Sequence, residues 1–216
     1  MKDYSNYHKV NINNKLLHDG KLIFQQGLKG FESEKVTIDG IEKTVMITSK
    51  YSSGDGSARY ILGEIADIYR GGVVKFNDET WLITSHPLSN KIYKKAEIKI
   101  CGTSFFLTSE DKLIDTGKIN EITGKPIYEK VPGEKTEVPC IFERTTSING
   151  TELAVNLPDG QANITIPYLV HEKLKIGLTL TFFGEDYQVD DIDYSKVYGD
   201  HGTIKLVAKK KVGEKT

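Results

Sequence analysis

The stretch from Gly72 to Cys101 reads GVVKFNDETWLITSHPLSNKIYKKAEIKIC, and the stretch from Gly177 to Val207 reads GLTLTFFGEDYQVDDIDYSKVYGDHGTIKLV. Each is a chain of short apolar-alternating runs divided by Gly, Asn and Asp, the pattern of strands joined by tight turns. Set side by side, Gly72 falls on Gly177, Phe76 on Phe182 or Phe183, Trp81 on Tyr187, Ile83 on Val189 and Tyr93 on Tyr198. A serine and lysine precede the last tyrosine in both copies, as Ser89-Asn-Lys91 and Ser195-Lys196, and Ile98 and Ile100 fall on Ile204 and Leu206. With single-residue gaps, the chain uses one unit twice.

The repeat extends upstream. Thr44-Val-Met-Ile47 matches Val138-Pro-Cys-Ile141, and Arg59-Tyr-Ile-Leu62 matches Asn163-Ile-Thr-Ile166. Val36–Ile38 and Ile41–Ile47 around Asp39-Gly40 form a hairpin, since Asp-Gly supplies the positive φ angles of a two-residue turn. Val73–Phe76 and Trp81–Thr84 form a second, and Ala96–Ile100 a further strand. Ile61, Leu62, Ile65, Ile68 and Tyr69 have helical spacing, but the matching stretch ITIPYLVHEKLKIG carries Pro167, which breaks a helix interior. A strand near 59–63, then a turn or one helical turn, then the strand after Gly72 is therefore expected. The fold class is mostly β, with two related small antiparallel barrel or sandwich units at 36–108 and 137–212.

Between the units, residues 109–136 hold Gly117, Gly124, Pro126, Pro132 and Gly133. They read as a linker or protruding hairpin, with Ile119–Ile122 and Ile127-Tyr128 flanking Gly124-Lys125. Such an arm needs a neighbour, because an isolated hairpin is only marginally stable. Residues 1–35 read as an N-terminal extension or arm, in which Leu16, Leu17, Leu22, Ile23 and Phe24 make a short helix or a strand that packs on a partner. The tail Lys209–Lys215 reads as solvated.

The 216 residues (24.2 kDa) allow one large domain or two small ones. With 38% hydrophobic and 27% charged residues the chain as a whole is not of disordered type. Lys and Arg number 29 against 30 Asp and Glu, which excludes a strongly basic nucleic-acid sleeve but not a local basic patch. Residues 1–108 carry 15 basic and 12 acidic groups, a net +3, and residues 109–216 carry 14 and 18, a net −4. That asymmetry would suit head-to-tail stacking of like subunits and is equally compatible with drift. Cys101 and Cys140 are too few for a disulfide scaffold and read as reduced, buried thiols. No apolar run reaches membrane-spanning length, and MKDYSNYHKVNINNKLLHDG lacks the apolar core of a signal peptide. The glycosylation sequons Asn149-Gly-Thr151 and Asn163-Ile-Thr165 are then without consequence.

Chemistry-bearing motifs are sparse. Ser53-Gly-Asp-Gly-Ser57 has two of the three glycines of a dinucleotide loop and lacks the lysine of a phosphate loop, so it reads as a turn. Arg59 beside it could hold an anion or a neighbouring subunit. Asp190-Asp-Ile-Asp193 fails as a calcium loop, since counting from Asp191 puts Lys196 and Gly202 where glycine and glutamate are required. None of His8, His18, His86, His171 and His201 has metal-ligand spacing to another or to a cysteine. The expectation is no enzyme, no cofactor and no metal. A metal-dependent hydrolase would need Asp190, Asp191, Asp193 and a histidine to converge. Lys91, Lys94, Lys95 and Lys99 cluster near Tyr93 and Trp81. A tandem OB-like module binding single-stranded nucleic acid would line up these lysines and Lys75 beside an exposed Trp81. A structural barrel would bury Trp81.

Arg59-Tyr-Ile, Arg70-Gly-Gly72-Val-Val-Lys-Phe, Trp81-Leu-Ile-Thr, Ile92-Tyr93, Ala96 and Ile100-Cys101 together resemble structural proteins of tailed bacteriophages and prophages of Gram-positive bacteria. Those often read G-D-x-V, then W-L-I/V, then Y-x-x-A-x-I-x-x-C-N. Gly72 stands here in place of their aspartate, and Gly102 in place of their asparagine. Leu157-Pro-Asp-Gly160, Ile164–Pro167, Phe183-Gly, Tyr187-Gln-Val and Gly202–Leu206 are similar to the C-terminal part of the same proteins, so the resemblance spans about 40–208. It implies a virion protein of the neck or head–tail connector, head-closure-like, built as a β-barrel ring under the portal. A tail or baseplate position is the alternative. The implied location is the virion, with assembly in the host cytoplasm. The implied partners are further copies of the chain and other neck, portal or tail proteins. Arg59, Lys91, Lys94 and Lys95 are the candidate intersubunit contacts, or non-specific contacts to channel DNA; no catalytic residue transfers.

Overall fold

The computed structural model describes residues 11–50, 56–119, 124–144 and 160–211. Ser53–Asp55 of the glycine-containing loop, His8, the Asn149 sequon and Leu157–Asp159 lie outside them. Among the described residues one helix, α1 (Ile12–Gly27), precedes sixteen strands.

The first seven strands are β1 (Ser33–Ile38), β2 (Ile41–Ser49), β3 (Ala58–Gly63), β4 (Val73–Phe76), β5 (Glu79–Ile83), β6 (Leu88–Ser89) and β7 (Lys94–Ile100). They pair in the order β3-β2-β1-β4-β5-β7, and β3 pairs with β7, so the sheet closes into a six-stranded barrel with β6 added to the start of β7. Alternation decides what lies inside. Val36, Ile38, Val45, Ile61, Trp81 and Ile98 point into one core, with Ile68 reaching it from the turn after β3. Each such side chain contributes about 1.5–3 kcal/mol of burial. The strand over 58–63 and the following turn confirm the β reading of the ambiguous stretch.

The remaining strands are β8 (Thr103–Thr108), β9 (Lys112–Ile119), β10 (Pro126–Val131), β11 (Lys135–Arg144), β12 (Gln161–Pro167), β13 (Thr179–Phe182), β14 (Glu185–Asp193), β15 (Val197–Tyr198) and β16 (His201–Lys210). Here the order is β13-β14-β16-β12-β11-β8, with β13 coming back beside β8. This is the first barrel again: β8, β11, β12, β13, β14, β15 and β16 take the places of β1 to β7. Leu107, Val138, Ile164, Phe182, Tyr187 and Leu206 are among its core residues.

Two details of the sequence reading change. β8, placed at the end of the first unit by the boundary at 108, pairs throughout with β11 of the second barrel. The crossing between barrels is therefore Cys101-Gly102, and residues 109–136 interrupt the second barrel rather than link the two. Their hairpin, β9 with β10, grows where the first barrel has only the Asp39-Gly40 turn.

The repeat register also shifts. Gly71 and Gly177 both have φ +89, and each donates its N–H at 2.8 Å, to the carbonyls of Ile83 and Val189. A constant offset then carries Gly71 to Ile83 onto Gly177 to Val189 without a gap, so Gly71, not Gly72, matches Gly177. The turn residues correspond as well: Asn77 (φ +51) and Asp78 (φ +59) fall on Phe183 (φ +53) and Gly184 (φ +79). Upstream, Ile61 opposite Ala96 corresponds to Ile164 opposite Leu206, one residue from the sequence match. Ile98 and Ile100 correspond to Ala208 and Lys210, four residues beyond Ile204 and Leu206, because β14 is longer than β5 and carries a bulge between Val189 and Asp191.

Helix α1 packs on the first barrel. Asn11 caps it, accepting the Asn13 N–H at 3.0 Å. Phe24 stacks on Tyr93 with ring centres 5.1 Å apart, and the glycines Gly20 and Gly27 let Ile92 and Met46 approach the helix backbone. Ile12, Leu16 and Ile23 remain exposed along one flank. Of the two readings, helix or strand, the helix is the one present, and its inner face is covered by the chain's own barrel rather than by a partner.

Candidate assembly surfaces and the inter-barrel cleft

Trp81 sits inside the first barrel with 1% of its surface exposed. Its indole N–H donates to Glu79 at 3.2 Å, and Phe76 stacks on it at 5.5 Å. The second barrel repeats the arrangement: Tyr187 is buried and its hydroxyl donates to Glu185 at 2.9 Å. Glu185 is also held by Lys210, and these hydrogen bonds, that of Lys210 foremost, keep its carboxyl below the usual range. A buried Trp81 removes the stacking platform on which a single-strand-binding reading of the basic cluster depended.

The four candidate contact residues do not share one patch. Arg59, in β3, lies with its guanidinium 5.0 Å from the Trp81 ring centre and 5.6 Å from that of Phe76, so it covers the aromatic end of its own barrel. In the second barrel Ala162 stands at that position, and Phe142 packs against Phe182 and Tyr187 instead. Lys94 lies opposite Gly63, four residues along β7 from Ile98, the partner of Arg59. It shares the parity of buried Ala96 and Ile98, whereas Lys95 projects from the outer face. There Lys95 lies 4.1 Å from the Tyr60 ring centre, Glu97 pairs with Lys50 at 2.6 Å, and Lys99 pairs with Glu143 of the second barrel at 3.1 Å. Lys91 is exposed at φ +72 in the turn between β6 and β7.

The acidic run also disperses. Asp190 pairs with Lys209 at 2.6 Å, and Asp193 accepts the Ser195 N–H at 2.7 Å. Among the described residues no three His, Cys, Asp or Glu side chains group as metal ligands, and no described helix is long and apolar enough to cross a membrane. Both cysteines are free, Cys140 buried and Cys101 partly so. Burial pushes each thiol up to about 12, Cys101 adding to the effect at Cys140.

Two surfaces stand out. The first is the β9–β10 arm. Its base is clamped: Asp111 pairs with Lys130 at 2.8 Å and accepts the Gly133 N–H at 3.1 Å, which hold its carboxyl below the usual range. Glu110 pairs with Lys173 at 3.2 Å, and its N–H donates to Glu172 at 2.6 Å. Gly133 is required there, since a Cβ would lie 1.9 Å from the Ser109 carbonyl oxygen. Beyond the base, Leu113, Ile114, Ile119 and Tyr128 are all more than half exposed. Leu113 and Ile114 are consecutive in a strand, so they face opposite sides. Both faces of the arm therefore present apolar side chains to solvent.

The second is a cleft of about 320 Å³ where the barrels meet, lined from the first by Asp39, Tyr69, Arg70 and Val73 and from the second by Glu137, Pro139, Tyr168, Leu169, Asp200 and His201. Tyr69 packs against His201 with ring centres 4.3 Å apart and tilted, and donates its hydroxyl to Asp39, whose other oxygen accepts the Val73 N–H at 2.9 Å. Burial and that carboxylate push the Tyr69 phenol well above its ordinary range. At the floor the backbones touch, for a Cβ on Gly71 would lie 1.8 Å from the Gly202 carbonyl oxygen. The sequence reading missed this cleft; the Arg70-Gly71-Gly72 turn and Gly202 were its only signals, and they lie in different units.

No solved structure matches this chain. The family description "YomX N-terminal domain" matches residues 6–100 and "YomX C-terminal domain" residues 74–209. The first ends with β7, at the barrel boundary, and the second begins inside the first barrel and runs through the second. YomX is a protein of Bacillus phage and prophage type, which makes the present protein phage-associated. With the second match alone covering more than half of its residues, the chain belongs to the YomX family.

Proposed function

We propose that this protein is a structural component of a tailed-phage virion, a neck or head–tail connector subunit of head-closure type that assembles into a ring. The observation that carries the reading is the arm: a two-stranded hairpin, anchored by ion pairs at its base, with apolar side chains on both faces. A solvated hairpin of this kind contributes little stability by itself, and exposed apolar surface of this extent marks an interaction site. Insertion between neighbouring subunits covers both faces at once, and a heterologous contact closes into a ring when its rotation permits. The buried, mutually pairing side chains of the barrels support a shape-giving role over a catalytic one. On this reading Arg59, Lys91, Lys94 and Lys95 serve subunit contacts or backbone contacts to channel DNA, without sequence reading. The neighbours are portal, neck or tail proteins, and the protein resides in the virion after assembly in the host cytoplasm.

The test is mass by light scattering of the full chain and of a variant in which residues 112–131 are replaced by a short turn. Trp81 fluorescence is followed with and without single-stranded DNA. The expected result is a concentration-dependent oligomer that the arm deletion reduces to monomer, with Trp81 indifferent to DNA. A full chain that stays monomeric and whose Trp81 is quenched by DNA, with release as salt rises, would overturn the reading in favour of a nucleic-acid module.

A further inference from the structure

Arg70 is the unexplained cation of the inter-barrel cleft. It is half-buried, its Nε is shielded from solvent, and that N–H finds no acceptor among the described residues. Among the described residues its guanidinium forms no ion pair, although three carboxylates line the same cavity. Those acids are turned to other work or to water: Asp39 is engaged by Tyr69 and Val73, Glu137 accepts from the Ser104 hydroxyl at 2.7 Å, and Asp200 is exposed. A buried guanidinium N–H without an acceptor is costly, and such a group in a cleft is a site waiting for its acceptor.

The internal repeat supplies a control. In the second barrel the residue at the position of Arg70 is Ile176, ahead of the same positive-φ glycine and the same turn hydrogen bonds. The barrel therefore does not need an arginine there. What differs is the surroundings: the first copy of this turn lies in the inter-barrel cleft, with Tyr69 packed against His201 beside it, whereas Ile176 is exposed.

We propose that the cleft is a carboxylate-binding site in which Arg70 receives an acidic side chain from an extended segment of a partner chain. A planar guanidinium with a fixed fork matches a carboxylate in bidentate fashion. The surrounding Asp39, Glu137 and Asp200 oppose any anion, and a doubly charged phosphate more strongly than a singly charged carboxylate, so the site discriminates between anions by charge. Val73, Pro139, Tyr168 and Leu169 give the walls apolar area for the residues flanking the acid. The proposal is independent of the neck assignment, since it requires only a partner that bears an Asp or Glu.

The chain has three arginines, Arg59, Arg70 and Arg144, so the Nε–H correlations of arginine-labelled full-length protein are few, and Arg70→Lys assigns the one from the cleft. The probes are N-acetylglutamate amide, N-acetylglutamine amide, acetate and inorganic phosphate. The expected result is a saturable shift of the Arg70 signal alone with the glutamate compound, at least about tenfold weaker binding of its neutral glutamine counterpart, and no tighter binding of phosphate. An Arg70 signal that does not move, or that moves equally with the glutamine compound, overturns the site. Tighter binding of phosphate overturns the carboxylate class. Acetate binding as tightly as the glutamate compound overturns the partner side chain as the source and leaves a free small carboxylate.

Discussion

At the residue scale, the two barrels are each other's control. Asn77 occupies the first left-handed position of the β4–β5 turn, where its short polar side chain tolerates positive φ, while Phe183 holds the same position in the β13–β14 turn at φ +53. The left-handed conformation costs an ordinary side chain about 1–2 kcal/mol. Phe183 recovers part of this through an edge contact with Phe142 at 5.7 Å but is 78% exposed. Phe183→Asn should therefore raise stability by about 0.5 kcal/mol in urea unfolding, and a loss instead would show that the Phe142 contact outweighs the strain. Cys140 offers a second check. Its thiol is pushed up to about 12 by burial, so at pH 8 it is protonated and shielded. Alkylation at that pH should leave Cys140 unmodified in the native protein and label it fully once the second barrel is unfolded. Prompt labelling of the native protein would show that β11 opens locally.

At the element scale, the arm and the helix show the same arrangement: an anchored inner side and an apolar side left open. For the arm, the anchor is titratable. Asp111 has its carboxyl held low, by Lys130 first and by the Gly133 N–H second. A carboxyl depressed on folding contributes stability at neutral pH that is lost as pH falls from the usual carboxylate range through the lower folded value. Because the pair is exposed, the effect is local. Amide exchange in β9 and β10 should accelerate on acidification below about pH 4, beyond the intrinsic rate change, while β12 and β16 stay protected. Asp111→Asn should abolish that extra acceleration. Helix α1 was legible only as an alternative to a strand. The periodicity of Leu17, Phe24 and Leu28 marks its inner face, but the added apolar side chains Ile12, Leu16 and Ile23 blur it, since they share the helix without sharing that face.

At the scale of the whole molecule, the relation between the barrels depends on backbone contact at Gly71 and Gly202. Gly71 has φ +89, and a side chain there meets the Gly202 carbonyl. Gly71→Ala should lower stability by about 1–2 kcal/mol from the conformation alone and, in addition, loosen the cleft. Exchange at Tyr168, whose N–H donates to the Gly202 carbonyl at 2.9 Å, should rise while the core amides of Ile61 and Ile164 stay slow. Unchanged exchange at Tyr168 would mean that the barrels are held together elsewhere, for instance by Lys99 and Glu143.

The sequence by itself determined the strands, the Asp39-Gly40 hairpin and the duplication. These follow from local alternation and turn chemistry, which are written in consecutive residues. The burial of Trp81, which separates a structural barrel from a strand-binding one, came from the tertiary structure. Tertiary structure alone decided which strand belongs to which barrel. β8 continues the pattern that precedes it, and nothing local distinguishes pairing backward with β5 from pairing forward with β11. It likewise decided the register of the repeat, because β14 absorbs extra residues and a bulge that an alignment can only render as gaps. The cleft was beyond sequence for the same reason. Arg70, Glu137 and His201 are brought together by the docking of two closed barrels, and neither barrel's own pattern encodes that contact.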